Sequence, residues 1–328
     1  MANNQFKKLI LLSVSLGLIY SCSKESIQLD VTGMTSVAKE IHTKNQRRTK
    51  EELKALTNSV EAFLSNPNAE TLITLQHNWV KTHDALLKVK FLAQTSTSQL
   101  MIEQIDSSPI EPGFLDSLPS YPETGIISDL TVPMTEISIR EQHQFTDPSE
   151  ASLGFHVIEY LVFSRPIEDF MPSEDYRVER RRQLLMTVTV SLAKVLGVYL
   201  DIPLFAGNRV PSFYQMIVFL GQSVSQLYGE SLQLMVNSHS PYSKTSRENL
   251  RTQVDMIKQI IFEPVNLGSH LVHLDALLAR DVTHTVKEVS KILDSDAGDK
   301  EIAAQCSALL EGLDHQLRGF VRLAEATN

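Results

Sequence analysis

Gly154-Phe155-His156-Val157-Ile158-Glu159-Tyr160 sets a histidine and a glutamate three residues apart inside an apolar run. In a helix that spacing places both side chains on one face, about 60° apart around the axis and one turn apart along it. An imidazole and a carboxylate so placed can hold a metal ion or form a proton relay. Phe155, Val157, Ile158, Leu161 and Val162 flank the pair, so it points into protein, where an unsatisfied charge is costly. On spacing alone the alternative stays open: a satisfied histidine beside a salt-bridged glutamate.

The helical period continues on both sides. Leu53, Leu56, Val60, Phe63 and Leu64 step by three and four, Asn66-Pro67 interrupts, and Leu72, Leu75, Trp79, Leu86 and Leu87 resume. Further stripes run from Leu184 to Tyr199, Phe213 to Met235, Leu250 to Ile261, Leu271 to Val289 and Ile302 to Val321. Alternating strand signals are scarce. The pattern predicts an all-α fold of two helical-bundle domains packed together. Pro203, Gly207 and Pro211 set the division near 201–211, giving an N-terminal domain at 37–204 and a C-terminal one at 205–328. Two cap signals predict helix starts, Asp147-Pro148-Ser149-Glu150 and Thr245-Ser246-Arg247-Glu248. A long proline-rich loop, from Ser107 to about Pro133, leads toward the His156 helix, and loops of that length are often functional. Arg180-Arg181-Arg182 reads as a solvated helix face.

The apolar share of 42% is that of a globular chain, and the formal charge of −9 argues against nucleic acid as a partner. Lys7-Lys8 followed by the apolar run Leu9 to Tyr20 reads as an export leader, too short for a mature membrane span. It ends at Ile19-Tyr20-Ser21-Cys22, which resembles a bacterial lipobox, so residues 1–22 are expected to end at a lipidated Cys22. Residues 23–36 then form a tether, and the protein faces the periplasm or the cell surface of a bacterial envelope. Cys306 has no disulfide partner in the mature chain and lies on an apolar stripe, so it is read as core filler.

Two ligands do not make a tight metal site. His83 and Asp106 are the first candidates to join His156 and Glu159, with Glu103, Asp129, His77 and His143 weaker ones. His270, His273 and His284 read as solvated or core-edge residues. No HExxH spacing, nucleophile elbow or phosphate-binding glycine loop is present in the sequence.

At this point the chain resembles the imelysin family. Its GxHxxE element stands as Gly154 to Glu159, followed by Tyr160-Leu161-Val162-Phe163. Ile105-Asp106-Ser107-Ser108-Pro109 resembles the family's ID-x-WP element, with Ser108 in the tryptophan's place, and Phe114-Leu115-Asp116 follows it. Gly125 to Asp129 resembles GIIND, and Gln76-His77-Asn78-Trp79-Val80 the tryptophan-bearing helix, with His83 where the family usually has arginine. Ser240-Pro241-Tyr242-Ser243 and Glu248-Asn249-Leu250 resemble a further segment, so the likeness runs over roughly 37–325.

The resemblance implies two helical bundles with GxHxxE near their interface and an exported protein associated with iron acquisition. It also implies a divalent or ferric ion, iron ahead of zinc, and an iron-transport system as a partner. His156 and Glu159 would contact the metal, Trp79 would wall the pocket, and Gly154 would admit a close neighbour. The alternatives are a metallopeptidase of the imelysin type, with Glu159 or another carboxylate as base, and a helical scaffold for envelope partners.

Overall fold

The stripe Leu53, Leu56, Val60 and Phe63 is buried along one face of a long first helix, α1 (Val31–Ser65). Asn66-Pro67 ends it, and the Asn68 side chain accepts from the Glu70 and Thr71 amides to start α2 (Ala69–Lys90). The computed structural model describes residues 31–90, 96–204, 213–236 and 239–327. The leader, Cys22 and most of the expected tether lie outside these residues. So does most of the expected division at 201–211. α1 itself begins at Val31, inside the stretch read as tether.

The helices continue as α3 (Ser96–Ile105), the single turn α4 (Pro112–Leu115), α5 (Glu136–Gln142), α6 (Phe155–Phe163) and α7 (Tyr176–Tyr199). α8 (Phe213–Val236), α9 (Ser246–Ile261), the short α10 (Leu267–Leu271), α11 (Ala276–Leu293) and α12 (Asp299–Thr327) complete the chain. Among the described residues there is no strand, only an isolated bridge between Leu118 and Tyr121. The fold is all-α.

Two apolar cores organise it. One gathers Leu56, Phe63, Trp79, Phe155, Leu161 and Leu185 from α1, α2, α6 and α7. The other gathers Leu220, Ile257, Val286 and Leu317 from α8, α9, α11 and α12. Met34 and Ala38 at the start of α1 pack into the second core, so one helix serves both. From Val31 onward the chain forms one compact unit. Cys306 is buried in the second core, and burial pushes its thiol up to about 11.

Three local expectations resolve differently. Asp147-Pro148-Ser149-Glu150 caps a turn and starts no helix. Asp147 accepts from the Ser149 amide at 2.8 Å, and the chain then runs on to Gly154 before α6 begins. Thr245 does precede α9, but its side chain caps nothing and its hydroxyl pairs with that of Ser243 at 2.9 Å. The arginine run is no solvated face. Arg181 is buried against Asp116, Arg180 donates to the carbonyls of Ile126, Ile127, Asp129 and Val132, and Arg182 donates to those of Leu64 and Phe170. A guanidinium has five donors in a fixed fork, which suits it to tying irregular backbone to a helix.

His42 on α1 is buried, with neither ring nitrogen in hydrogen-bond reach of a partner. Burial, the largest cause, pushes it down from 6.5 to about 4. A histidine with a depressed folded pKa gives stability that is whole above pH 6.5 and is lost as pH falls from 6.5 toward about 4. The loss is about 1.4 kcal/mol per pH unit. His42→Leu should flatten the acid slope of urea-unfolding free energy by that amount. An unchanged slope would exclude His42 as a source of acid sensitivity.

Candidate metal centre

Gly154 starts the site. It precedes α6 with φ +99° and ψ −177°, a backbone region reserved for glycine. A Cβ here would lie 2.7 Å from the Gln104 carbonyl oxygen and 2.8 Å from that of Ile105. The bare backbone therefore lets the end of α3 cross the start of α6, which brings Asp106 over His156. Gly154→Ala should cost about 3 kcal/mol, from backbone strain and overlap together. Chemical denaturation reads this directly, and a loss under about 1 kcal/mol would rule out the crossing as the reason for glycine.

Asp106 is the centre of the cluster and is completely buried on its side chain. Its Oδ1 lies 2.9 Å from His83 Nε2 and 3.2 Å from His156 Nε2. Its Oδ2 accepts from Lys90 Nζ at 2.9 Å and lies 3.8 Å from His239 Nε2. Lys90 also donates to Glu230 at 3.0 Å, and Glu230 is held by Gln253. His83, His156 and His239, all buried, each bring a ring nitrogen within 4.8 Å of the other two.

The sequence candidates thus separate by role. His83, Asp106 and His156 converge. Glu159 lies on the far side of His156, where its Oε2 meets Nδ1 at 2.8 Å. Its Oε1 accepts from the Tyr242 amide at 3.1 Å, the Ser243 amide at 2.8 Å and the Ser243 hydroxyl at 2.7 Å. Glu159 therefore orients the imidazole and ties α6 to the segment before α9. Trp79, expected to wall the pocket, lies a layer behind it: its ring stacks on His83 at 5.0 Å and its indole donates to the Phe155 carbonyl at 2.9 Å. Glu103, Asp129, His77, His273 and His284 are exposed, and His143 accepts from the Ser152 amide at 3.2 Å instead of joining the cluster.

His239, Lys90 and Glu230 escaped the sequence reading. His239 directly precedes the Ser240-Pro241-Tyr242-Ser243 segment, the one available pointer to it. Glu230 continues the buried stripe Leu220, Val224, Leu227, and an acid on such a face needs a partner. Lys90 sits in the last turn of α2 and reads as an ordinary helix-end cation. Ser108 holds the new histidine in place by donating to the His239 carbonyl at 3.0 Å.

Electrostatically the cluster is coupled. Burial alone would lower His156, but hydrogen bonds to Asp106 and Glu159 raise it to about 9. His239 moves the other way, to about 4, through burial and then the nearby His156 charge. Burial works against the charged forms of Asp106, Glu159 and Glu230, yet their cationic partners hold all three carboxyls below the usual range. Lys90 and His156 are the cationic partners that face these carboxyls: Lys90 meets Asp106 and Glu230, and His156 meets Asp106 and Glu159. A cleft of about 800 Å³ opens onto Asp106, Lys90, Glu230 and His239, with Glu103 and Asp147 nearby on its wall.

Fold and site together define an all-α protein with a buried histidine–carboxylate centre at the foot of a cleft. A family model described as Imelysin matches residues 43–318, and the chain belongs to that family. An imelysin-like protein from Psychrobacter arcticum has the same fold, with TM-score 0.59 at 14% identity over 89% of this chain and 92% of that one. A Parabacteroides distasonis protein, provisionally named an iron-regulated protein A precursor, gives TM-score 0.68 at 12% identity over 91% and 97% of the two chains. No curated protein matches the chain.

Proposed function

We propose that this protein captures a transition-metal ion, iron before zinc, at the bacterial envelope. The observation that carries the reading is the convergence of His83, His156 and His239 around Asp106. Imidazoles with a single carboxylate suit iron, zinc or manganese, whereas calcium and magnesium take oxygen sets. The His156–Glu159 pair is the arrangement that fixes the tautomer and direction of a ligating histidine. Iron is favoured because of the provisional name carried by the Parabacteroides distasonis protein and the family's association with iron acquisition.

The envelope placement is supported by the leader-like pattern of residues 1–22 and its lipobox-like end at Cys22, and lipid attachment there and an iron-transport system as the receiving partner are part of the proposal. Among the described residues no helix is long and apolar enough to cross a membrane. In the peptidase alternative Glu159 itself is poorly placed to act as base, because both of its oxygens are occupied by His156, Tyr242 and Ser243.

Metal content and affinity of the purified protein test the proposal. One ion per chain is expected, lost in His156→Ala and weakened about 10- to 100-fold in Glu159→Gln, which keeps the shape and removes the charge. Equal binding by wild type and His156→Ala would end the assignment.

A further inference from the structure

We propose that Lys90 is an internal competitor for the captured cation, and that Glu230 sets the affinity by drawing the Lys90 ammonium away from Asp106. This rests on the cation-binding reading above. The ammonium is buried and lies 2.9 Å from Asp106 Oδ2 and 3.0 Å from Glu230 Oε1, so it is shared between two carboxylates. Asp106 Oδ1 faces His83 and His156. One carboxylate therefore serves the imidazole cluster through one oxygen and the lysine through the other.

A captured cation and the ammonium draw on the same negative charge in a dry site, where charges interact more strongly than in water. Lys90 stabilises Asp106 while the cation is absent and repels the cation once it is present. Glu230 is fixed by Gln253 from α9 and offers the ammonium a second partner on α8. Such an arrangement keeps the buried acid paired throughout and holds affinity low enough for the cargo to leave, as a carrier requires.

Zn²⁺ affinity, measured by competition with a chromophoric chelator, separates this from a structural role. Lys90→Met should bind Zn²⁺ at least about tenfold more tightly, while its cation-free form melts at lower temperature because Asp106 and Glu230 have lost their partner. Glu230→Gln should bind about fivefold more weakly, because the ammonium then rests on Asp106 alone. In the Lys90→Met background the effect of Glu230→Gln should shrink to its direct field on the cation, whereas an effect with no part played by Lys90 would stay the same size.

Unchanged or weaker binding by Lys90→Met would overturn the inference, as would a Glu230→Gln effect of the same size in both backgrounds. Should Lys90→Met fail to fold, unchanged or tighter binding by Glu230→Gln would overturn it alone. Wild type that binds Zn²⁺ through its histidines, with Lys90→Met no tighter, removes this inference and leaves the proposed function standing. Wild type that binds no cation removes the proposed function.

Discussion

His239→Ala is expected to weaken metal binding by about 100-fold or more, close to 2.7 kcal/mol. Changing a residue that merely orients a ligand typically costs about 10- to 100-fold, and loss of a ligand costs no less. His239 stands apart from the other donors in what holds it. His83 is sandwiched, with the Trp79 and His239 rings stacked at 5.0 and 5.6 Å. His156 is fixed by Glu159. His239 is reached from the cleft, and its backbone is anchored by Ser108. Its loss should leave the cores intact, so the melting temperature without metal should move little while the metal-induced rise shrinks. Titration calorimetry and melting curves with and without metal read both effects. Equal affinity in His239→Ala would cut the donor set to His83, His156 and Asp106.

The second large effect concerns stability. Asp116→Ala should destabilise the protein by about 3–5 kcal/mol, because Arg181 would remain buried and charged with its main partner removed. Asp116 is fully buried and Arg181 only 4% exposed. The guanidinium donates through Nε at 2.5 Å and Nη2 at 3.0 Å, and Arg165 approaches to 3.4 Å. A Cβ on Gly125, at φ +88°, would lie 2.6 Å from the Asp116 amide nitrogen, so the loop that Arg180 ties down passes close to the Asp116 backbone. Asp116→Ala combined with Arg181→Leu should recover much of the loss, since no lone charge then remains inside. Urea denaturation of the single and double variants decides it. A single variant within about 1 kcal/mol of wild type would show that Arg181 finds another partner.

The all-α class was legible in the stripes, because a helix that buries one face must repeat apolar residues every three or four positions. GxHxxE was legible as a buried pair for the same reason. Its roles were not. The spacing places His156 and Glu159 on one face, but only the packed structure shows Glu159 behind the imidazole, with Tyr242 and Ser243 closing its other oxygen. The arginine run misled because periodicity cannot tell solvent from the carbonyls of a folded-back loop. Asp147 to Glu150 misled because a capping side chain makes the same local bonds in a turn as at a helix start.

The sequence alone determined that the chain is helical and that Gly154 to Glu159 carries a buried polar pair, and it offered His83 and Asp106 only as candidates to join that pair. Those properties are local, or depend only on burial. The tertiary structure decided which groups complete the centre. His239, Lys90 and Glu230 lie 83, 66 and 74 residues from His156 along the chain. No local pattern records such distances. The approach of α2, α6 and α8 to the segment before α9 brings these residues together, because burying one carboxylate, Asp106, obliges the fold to surround it with donors.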